Sequence, residues 1–116
     1  MIDIISATRL SEGDFWSKSA LGVSLRRLSQ DTRLTPRVAF ANRRGLPDVY
    51  NERILAQENN DILIFIHDDV WIEDIFIADH VTAGLKTFDV IGVAGSRRRA
   101  PNQAAWAFAD DRFIWD

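Results

Sequence analysis

The sequence predicts an α/β domain in three layers, with helices on both faces of a mostly parallel sheet. Strand-like and helix-like segments alternate along the chain, the pattern of βαβ units. One strand-like run, Ile62–Ile66 (ILIFI), has no polar residue and therefore expects cover on both faces. At 116 residues there is enough chain for one core.

The elements follow in order. Ile2–Ala7 (IDIISA) is short and rich in β-branched residues, which predicts a first strand. Ser11 opens a helix signature with Asp14 three residues on as its capping-box partner. Behind it Trp16, Ala20 and Val23 fall at i, i+4 and i+7, beside a second stripe of Leu21, Leu25 and Leu28, so one amphipathic helix is expected to about Gln30. A polar stretch, Asp31–Pro36, leads to a second strand at Arg37–Ala41 and then to the loop Asn42–Gly45. Pro47 suits a first helical turn, where its missing N–H costs nothing; the helix is expected to run to about Asn59 with Tyr50, Ile54 and Leu55 inward. Asn59-Asn60-Asp61 breaks it, and Ile62–Ile66 follows as the central strand. Glu73–Lys86 reads as a helix through Ile77, Val81 and Leu85, and Val90–Ala94 (VIGVA) as a fourth strand. Beyond Gly95, SRRRAPNQ reads as loop, and Ala104–Asp116 has room for a strand or a hairpin arm.

Composition narrows the function classes. Hydrophobic residues make up 47% and charged residues 27%, ordinary for a soluble globular protein. A net charge of −3 gives no reason to expect nucleic acid or an anionic membrane as partner. With no cysteine there are no disulfides, thiolate metal sites or cysteine nucleophiles, which fits a reducing, cytoplasmic setting. The start MIDIISATRL lacks the basic and apolar regions of a signal peptide. The apolar run Ile62–Ile66 falls far short of the roughly 20 residues a membrane span needs, so no transmembrane segment is expected.

In an open parallel sheet, ligands sit at the carboxyl ends of the strands. That rule puts Asn42–Gly45, His67–Asp69 and Gly95–Arg99 on one rim. His67, Asp68 and Asp69 leave the Ile62–Ile66 strand in succession; two adjacent carboxylates repel, and a divalent cation bridging to phosphate oxygens relieves the repulsion. The other account of the same residues is that Asp68 or Asp69 caps the next turn and His67 is a satisfied, partly buried histidine. The guanidiniums of Arg97, Arg98 and Arg99 suit phosphate oxygens, or simply belong to a solvated loop. Trp71 and Trp106 are candidates for stacking on a sugar or base, though a buried anchor is the better expectation for each; His80 is expected to be structural.

The stretch Asn42–Trp106 resembles the donor-binding half of family 2-type glycosyltransferases, in particular a bacterial glycosyltransferase-like group with the acidic motif H-x-D in place of D-x-D. Four pieces match in order. NRRGLPDVYNERILAQ (Asn42–Gln57) resembles the family's N-x-G…N-x-x-I block, and ILIFIHDDV (Ile62–Val70) its acidic strand; the helix Ile75–Lys86 and FDVIGVAGSRRR (Phe88–Arg99) resemble the helix, strand and Gly-rich exit that follow. AAWAF (Ala104–Phe108) sits where the family often has a tryptophan. The resemblance implies a GT-A-like, Rossmann-like fold, a nucleotide-diphosphate sugar donor, a divalent metal (Mn²⁺ or Mg²⁺) and transfer of the sugar to an acceptor hydroxyl. Carried over by position, it implies Asp69 as the catalytic metal ligand, His67 in place of the first acidic residue as the second ligand, Asp68 at the variable centre and Asn51 near the nucleotide. By their places on the rim Ser6, Arg97 and Arg98 join Asn51 and Asp68 as candidate nucleotide-sugar-binding residues. Imidazole suits Mn²⁺ better than Mg²⁺. Asn51 also has a purely local role open to it, a helix-to-loop hydrogen bond, and Gly45 supplies a tight turn on either account.

The chain departs from the family pattern in two places. No aspartate-rich loop follows the second strand, which leaves Ser6 and Thr8 as the rim groups where the base would sit. The acceptor half, with the general base, is expected beyond Asp116; Asp110 and Asp111 are the late acidic pair. A truncated fold that exposes apolar surface also suggests a homo-oligomer. The competing reading is a non-catalytic nucleotide- or metal-binding module of GT-A ancestry. A phosphorelay receiver is excluded because Lys18 and Lys86, the only lysines, do not lie at strand ends. An HD-type phosphohydrolase is excluded because its His-Asp pair lies on helices, whereas ILIFI precedes His67.

Overall fold

The structure, a computed structural model, describes residues 1–93. It is an α/β fold with a three-stranded parallel sheet and, among the described residues, four helices: β1 (Ile2–Ala7), α1 (Glu12–Lys18), α2 (Ala20–Arg27), β2 (Leu34–Ala39), α3 (Leu46–Ile54), β3 (Ile62–Phe65) and α4 (Ile77–Gly84). The chain divides into two compact units, Met1–Val81 and Thr82–Asp116. No described helix is long and apolar enough to cross a membrane.

The sheet order is β2-β1-β3, so β1 is the central strand among the described residues and not Ile62–Ile66 as the sequence suggested. The cover expected on both faces of this run is incomplete: Ile62, Leu63 and Ile64 are half-buried and Phe65 is exposed. On one face Ile62, Ile64 and Ile66 pack with Ile2 and Ile4 against Phe15, Leu21, Leu25, Leu28, Ile72 and Ala78. Across the sheet, Phe65 meets Tyr50 of α3 with ring centroids 4.8 Å apart. Phe15 anchors the main core, with Trp16 and Phe40 edge-on to it at 5.0 and 5.5 Å.

The expected helix from Ser11 to Gln30 is two helices. Ser11 caps the first, accepting from the Asp14 N–H at 3.2 Å. Ser19 breaks the run: its backbone is extended (φ −78, ψ 148), its hydroxyl donates to the Phe15 carbonyl at 2.8 Å, and the same oxygen accepts from the Gly22 N–H at 2.9 Å. Serine competes with the helical ladder in this way wherever an alternative set of partners exists. Gly22 permits the close approach, since a Cβ there would lie 2.1 Å from the Phe15 carbonyl oxygen. The leucine stripe survives the break, with Leu21, Leu25 and Leu28 all buried.

The other boundaries shift for identifiable reasons. β2 starts at Leu34, earlier than expected, and contains Pro36. Ile2 and Thr8 donate to the carbonyls of Arg33 and Ala39, so the odd-numbered residues of β2 bond to β1 and the proline nitrogen falls on the outer edge. Ala41 does not extend the strand because it is left-handed, φ 46. α3 ends at Ile54, not near Asn59: the Asn59 side-chain amide caps the carbonyls of Arg53 and Ile54, and its oxygen accepts from Arg53. The shorter helix buries Val49, half-buries Tyr50 and leaves Ile54 and Leu55 exposed, contrary to expectation. α4 starts at Ile77 and not at Glu73, because Asp74 folds back to accept the Phe76 N–H at 2.9 Å. His80 has the structural role expected of it, meeting the Asp74 carboxylate at 2.5 Å; that contact, with the Phe76 N–H, holds the carboxyl below its usual range. The expected strand Val90–Ala94 is absent over Val90–Val93, which have no ladder partner among the described residues; Ala94 lies outside them.

A charged cluster closes the amino end of the sheet. Asp3, on β1, is fully buried. It accepts from Arg37 Nε at 3.1 Å, from the Asn60 N–H at 3.1 Å and from the Asn60 side chain at 2.8 Å, with Arg53 at 4.0 Å. Burial pushes the carboxyl up, but these hydrogen bonds outweigh it and hold it below its ordinary value.

Two outcomes follow. Helix propensity alone would have Gly22→Ala stabilise by about 1 kcal/mol; the close Phe15 carbonyl reverses the sign to a loss of about 2 kcal/mol in urea unfolding. For Asp3, the depressed folded value means a stabilisation fully present above the unfolded carboxylate pKa of about 3.9 and lost as pH falls through the folded one. The pH–stability curve of Asp3→Asn should therefore be flatter than wild type below about pH 4, and superimposable slopes there would count against the cluster.

Candidate functional site

Thr8, just past the end of β1, joins the exits of all three strands. Its N–H donates to the Ala39 carbonyl at 3.0 Å and its carbonyl accepts from the Asn42 N–H at 2.7 Å, so the end of β2 is fixed beside it. Its hydroxyl donates to Asp68 Oδ2 at 2.7 Å, across a sequence separation of 60 residues, and accepts from the Leu10 N–H at 3.2 Å. The residue is 3% exposed and its partners Asp68 and Leu10 are half-buried, so these bonds are partly shielded from competing water. The Ala41 N–H adds a bond to the Leu10 carbonyl at 2.8 Å, and Asn42 closes an Asx turn on Arg44.

The acidic turn is secured from a second side by α2. The Leu21 N–H donates to the Asp68 carbonyl at 3.0 Å, and Ser24 Oγ accepts from the Ile72 N–H at 3.1 Å. One turn further along, Arg27 lies 5.0 Å over the Trp71 ring and 3.4 Å from Glu73, which also accepts from the Trp71 indole N–H at 2.6 Å. Residues 21, 24 and 27 recur at helical spacing, so a single face of α2 grips the loop from Asp68 to Glu73. Trp71 is thus not the buried anchor expected of it: it is 41% exposed and stacked by a guanidinium.

Within this frame the three residues of the turn differ. The Asp68 side chain is half-buried and tied to Thr8, whereas His67 and Asp69 are exposed and engage in no side-chain hydrogen bond among the described residues. Among the described residues no group of three His, Asp or Glu side chains could hold a metal ion. Among the described residues, His67 and Asp69 are the exposed donors of the turn, and a cation held by them would draw further ligands from phosphate oxygens and water. An imidazole–carboxylate pair is a donor set suited to Mn²⁺.

The remaining sequence candidates lie as follows. Ser6 is fully buried on β1, and its hydroxyl has no partner among the described residues. Asn51 is exposed in the second turn of α3 and shows no side-chain hydrogen bond among the described residues. Arg97, Arg98, Arg99, Trp106, Asp110 and Asp111 lie outside the described residues. The joining role of Thr8 was visible in the sequence only as a polar group at a strand end. Arg9 and Arg43 are both exposed on these loops; the sequence placed the Asn42–Gly45 loop, and so Arg43, on the rim, but marked neither arginine as a candidate.

Comparison with protein-family models, with curated proteins and with solved structures finds no match.

Thr8→Val keeps the shape of the side chain and removes the bond to Asp68, so it should cost about 2 kcal/mol in denaturant unfolding while leaving far-UV dichroism unchanged. Ser11→Ala, which removes an exposed cap, should cost less, about 1 kcal/mol. Equal losses would mean that the Thr8–Asp68 bond is no more than a surface contact.

Proposed function

We propose that the chain is a GT-A-type donor-binding domain that holds a nucleotide-diphosphate sugar through a divalent metal and passes the sugar to an acceptor hydroxyl. The observation that carries this reading is the rim: a strand-end carboxylate bonded to Thr8 brings the β1 and β3 exits together and leaves His67 and Asp69 exposed beside it. A parallel sheet is compatible with a Rossmann-like nucleotide fold, and the carboxyl edge of such sheets is where ligands bind. The sequence resemblance over Asn42–Trp106 adds the sugar donor.

In this mechanism His67 and Asp69 hold the cation, which when bound acts as a Lewis acid that neutralises charge developing on the leaving diphosphate. Asp68 has a different task. With one oxygen on Thr8 and its carbonyl on Leu21, it fixes the turn from which its two neighbours project. The backbone stays put while the diphosphate is bound, which is what positioning requires. Because the turn offers two exposed metal ligands among the described residues, metal and nucleotide should bind interdependently, each weakly without the other.

A second reading, a nucleotide- or metal-binding module without turnover, draws support from the same two-ligand set, which suffices to hold a diphosphate. Hydrolysis or transfer of a nucleotide sugar by the full chain would decide against it.

Calorimetry tests the donor site. UDP or GDP, and their sugars, should bind wild type more tightly with Mn²⁺ than without, and Asp69→Ala should abolish the metal-dependent part. Binding that ignores Mn²⁺, or ignores Asp69, would sink the mechanism.

A further inference from the structure

A diphosphate on this rim needs positive charge besides the cation. Three N–H groups in the first turn of α2 are already committed: Leu21 to the Asp68 carbonyl, Gly22 to Ser19 Oγ and Val23 to the Ser19 carbonyl. That leaves little of this helix end free for an anion, and arginine side chains are the stronger source of compensating charge.

Most of the arginines among the described residues are occupied. Arg33 pairs with Asp31 and Asp79, Arg37 and Arg53 serve Asp3, Arg44 meets Glu52 at 2.6 Å, Arg27 is held by Trp71 and Glu73, and Arg26 donates to the Trp16 carbonyl. Among the described residues Arg9 and Arg43 alone of the arginines lack such a partner, and both are exposed. They also adjoin. Arg9 lies between Thr8 and Leu10, whose carbonyls accept from Asn42 and Ala41, and Arg43 is the next residue. The same two backbone bonds hold Ala41 in its left-handed conformation, so the chain accepts local strain to keep these loops side by side. Thr8 then links the pair directly to the acidic turn.

We propose that Arg9 and Arg43 form the anion-binding side of the rim and take the diphosphate, opposite the cation held by His67 and Asp69. Guanidiniums suit this because each can engage two phosphate oxygens at once. Two such groups favour a diphosphate over a single phosphate. The inference rests on the donor-site reading for the identity of the diphosphate, but the anion contact itself does not need the metal.

The probe is inorganic pyrophosphate, titrated calorimetrically without metal into the full 116-residue chain at low salt. Wild type should bind it at least tenfold more tightly than inorganic phosphate. Arg9→Ala and Arg43→Ala should each weaken pyrophosphate about tenfold, the cost of one charged bidentate contact, whereas Asp69→Ala should not weaken it. Both arginines are exposed, and unchanged far-UV dichroism would verify that the variants fold. Failure of wild type to bind pyrophosphate, or affinities within twofold of wild type in both arginine variants, would overturn the proposal. If pyrophosphate binding depends on the arginines while nucleotide binding ignores Mn²⁺ and Asp69, the anion site stands and the glycosyltransferase reading falls. The converse pattern leaves the donor site and removes the arginines from it.

Discussion

A strand with neighbours on both sides and helices over both faces has no water to satisfy its backbone. β1 is in that position: Ile2 to Ser6 are buried, and each N–H and C=O must be matched by β2 or β3. That requirement dictates much of the rest. It pulls β2, two helices further along the chain, and β3, one helix beyond that, into parallel register with β1, and because all three strands then point the same way, their exits share one rim. Thr8 extends the same accounting past the last strand residue, using its N–H, carbonyl and hydroxyl on three different segments. The rim is a continuation of the sheet by other means.

The two ends of β1 answer the problem of buried charge differently. At the amino end Asp3 is wholly enclosed, and its charge is tolerable only because Arg37, Asn60 and Arg53 surround it. At the carboxyl end charge is left at the surface. His67 and Asp69 face solvent, and only Asp68 is drawn partly inward against a hydroxyl. One end is closed by charge neutralisation, whereas at the other Asp68 is tied to Thr8 and its two neighbours stay exposed. Such asymmetry is what separates a stabilising cluster from a surface able to meet a ligand.

The alternation of strands and helices was legible in the sequence because it rests on local apolar spacing, and β1 and the leucines of α2 are where that spacing placed them. What failed was whatever depended on distant partners. Ser19 reads as an ordinary helical position until the Phe15 carbonyl and Gly22 are set around it. Ile54 and Leu55 fit an inward stripe only if α3 runs on, and Asn59 stops it first. The purity of ILIFI suggested a central strand, but β3 flanks β1 with its residues half-buried and Phe65 exposed, because an apolar run carries no information about which edges are paired. At the site, the order His-Asp-Asp at a strand end was readable. Which of the three stays free was not, since that is decided by a threonine 60 residues away.

Pro36 has a consequence for how this sheet can be extended. The outward-facing positions of β2 are Leu34, Pro36 and Val38. The Leu34 N–H is already spent on the Asp31 carbonyl, and proline has none, so Val38 keeps the single amide this flank could offer to another strand. One lateral margin of the sheet is therefore chemically blunt, a poor template for growth or for stray association. Any strand that joins, from this chain or from another, is directed to the side of β3, the side on which the acidic turn emerges.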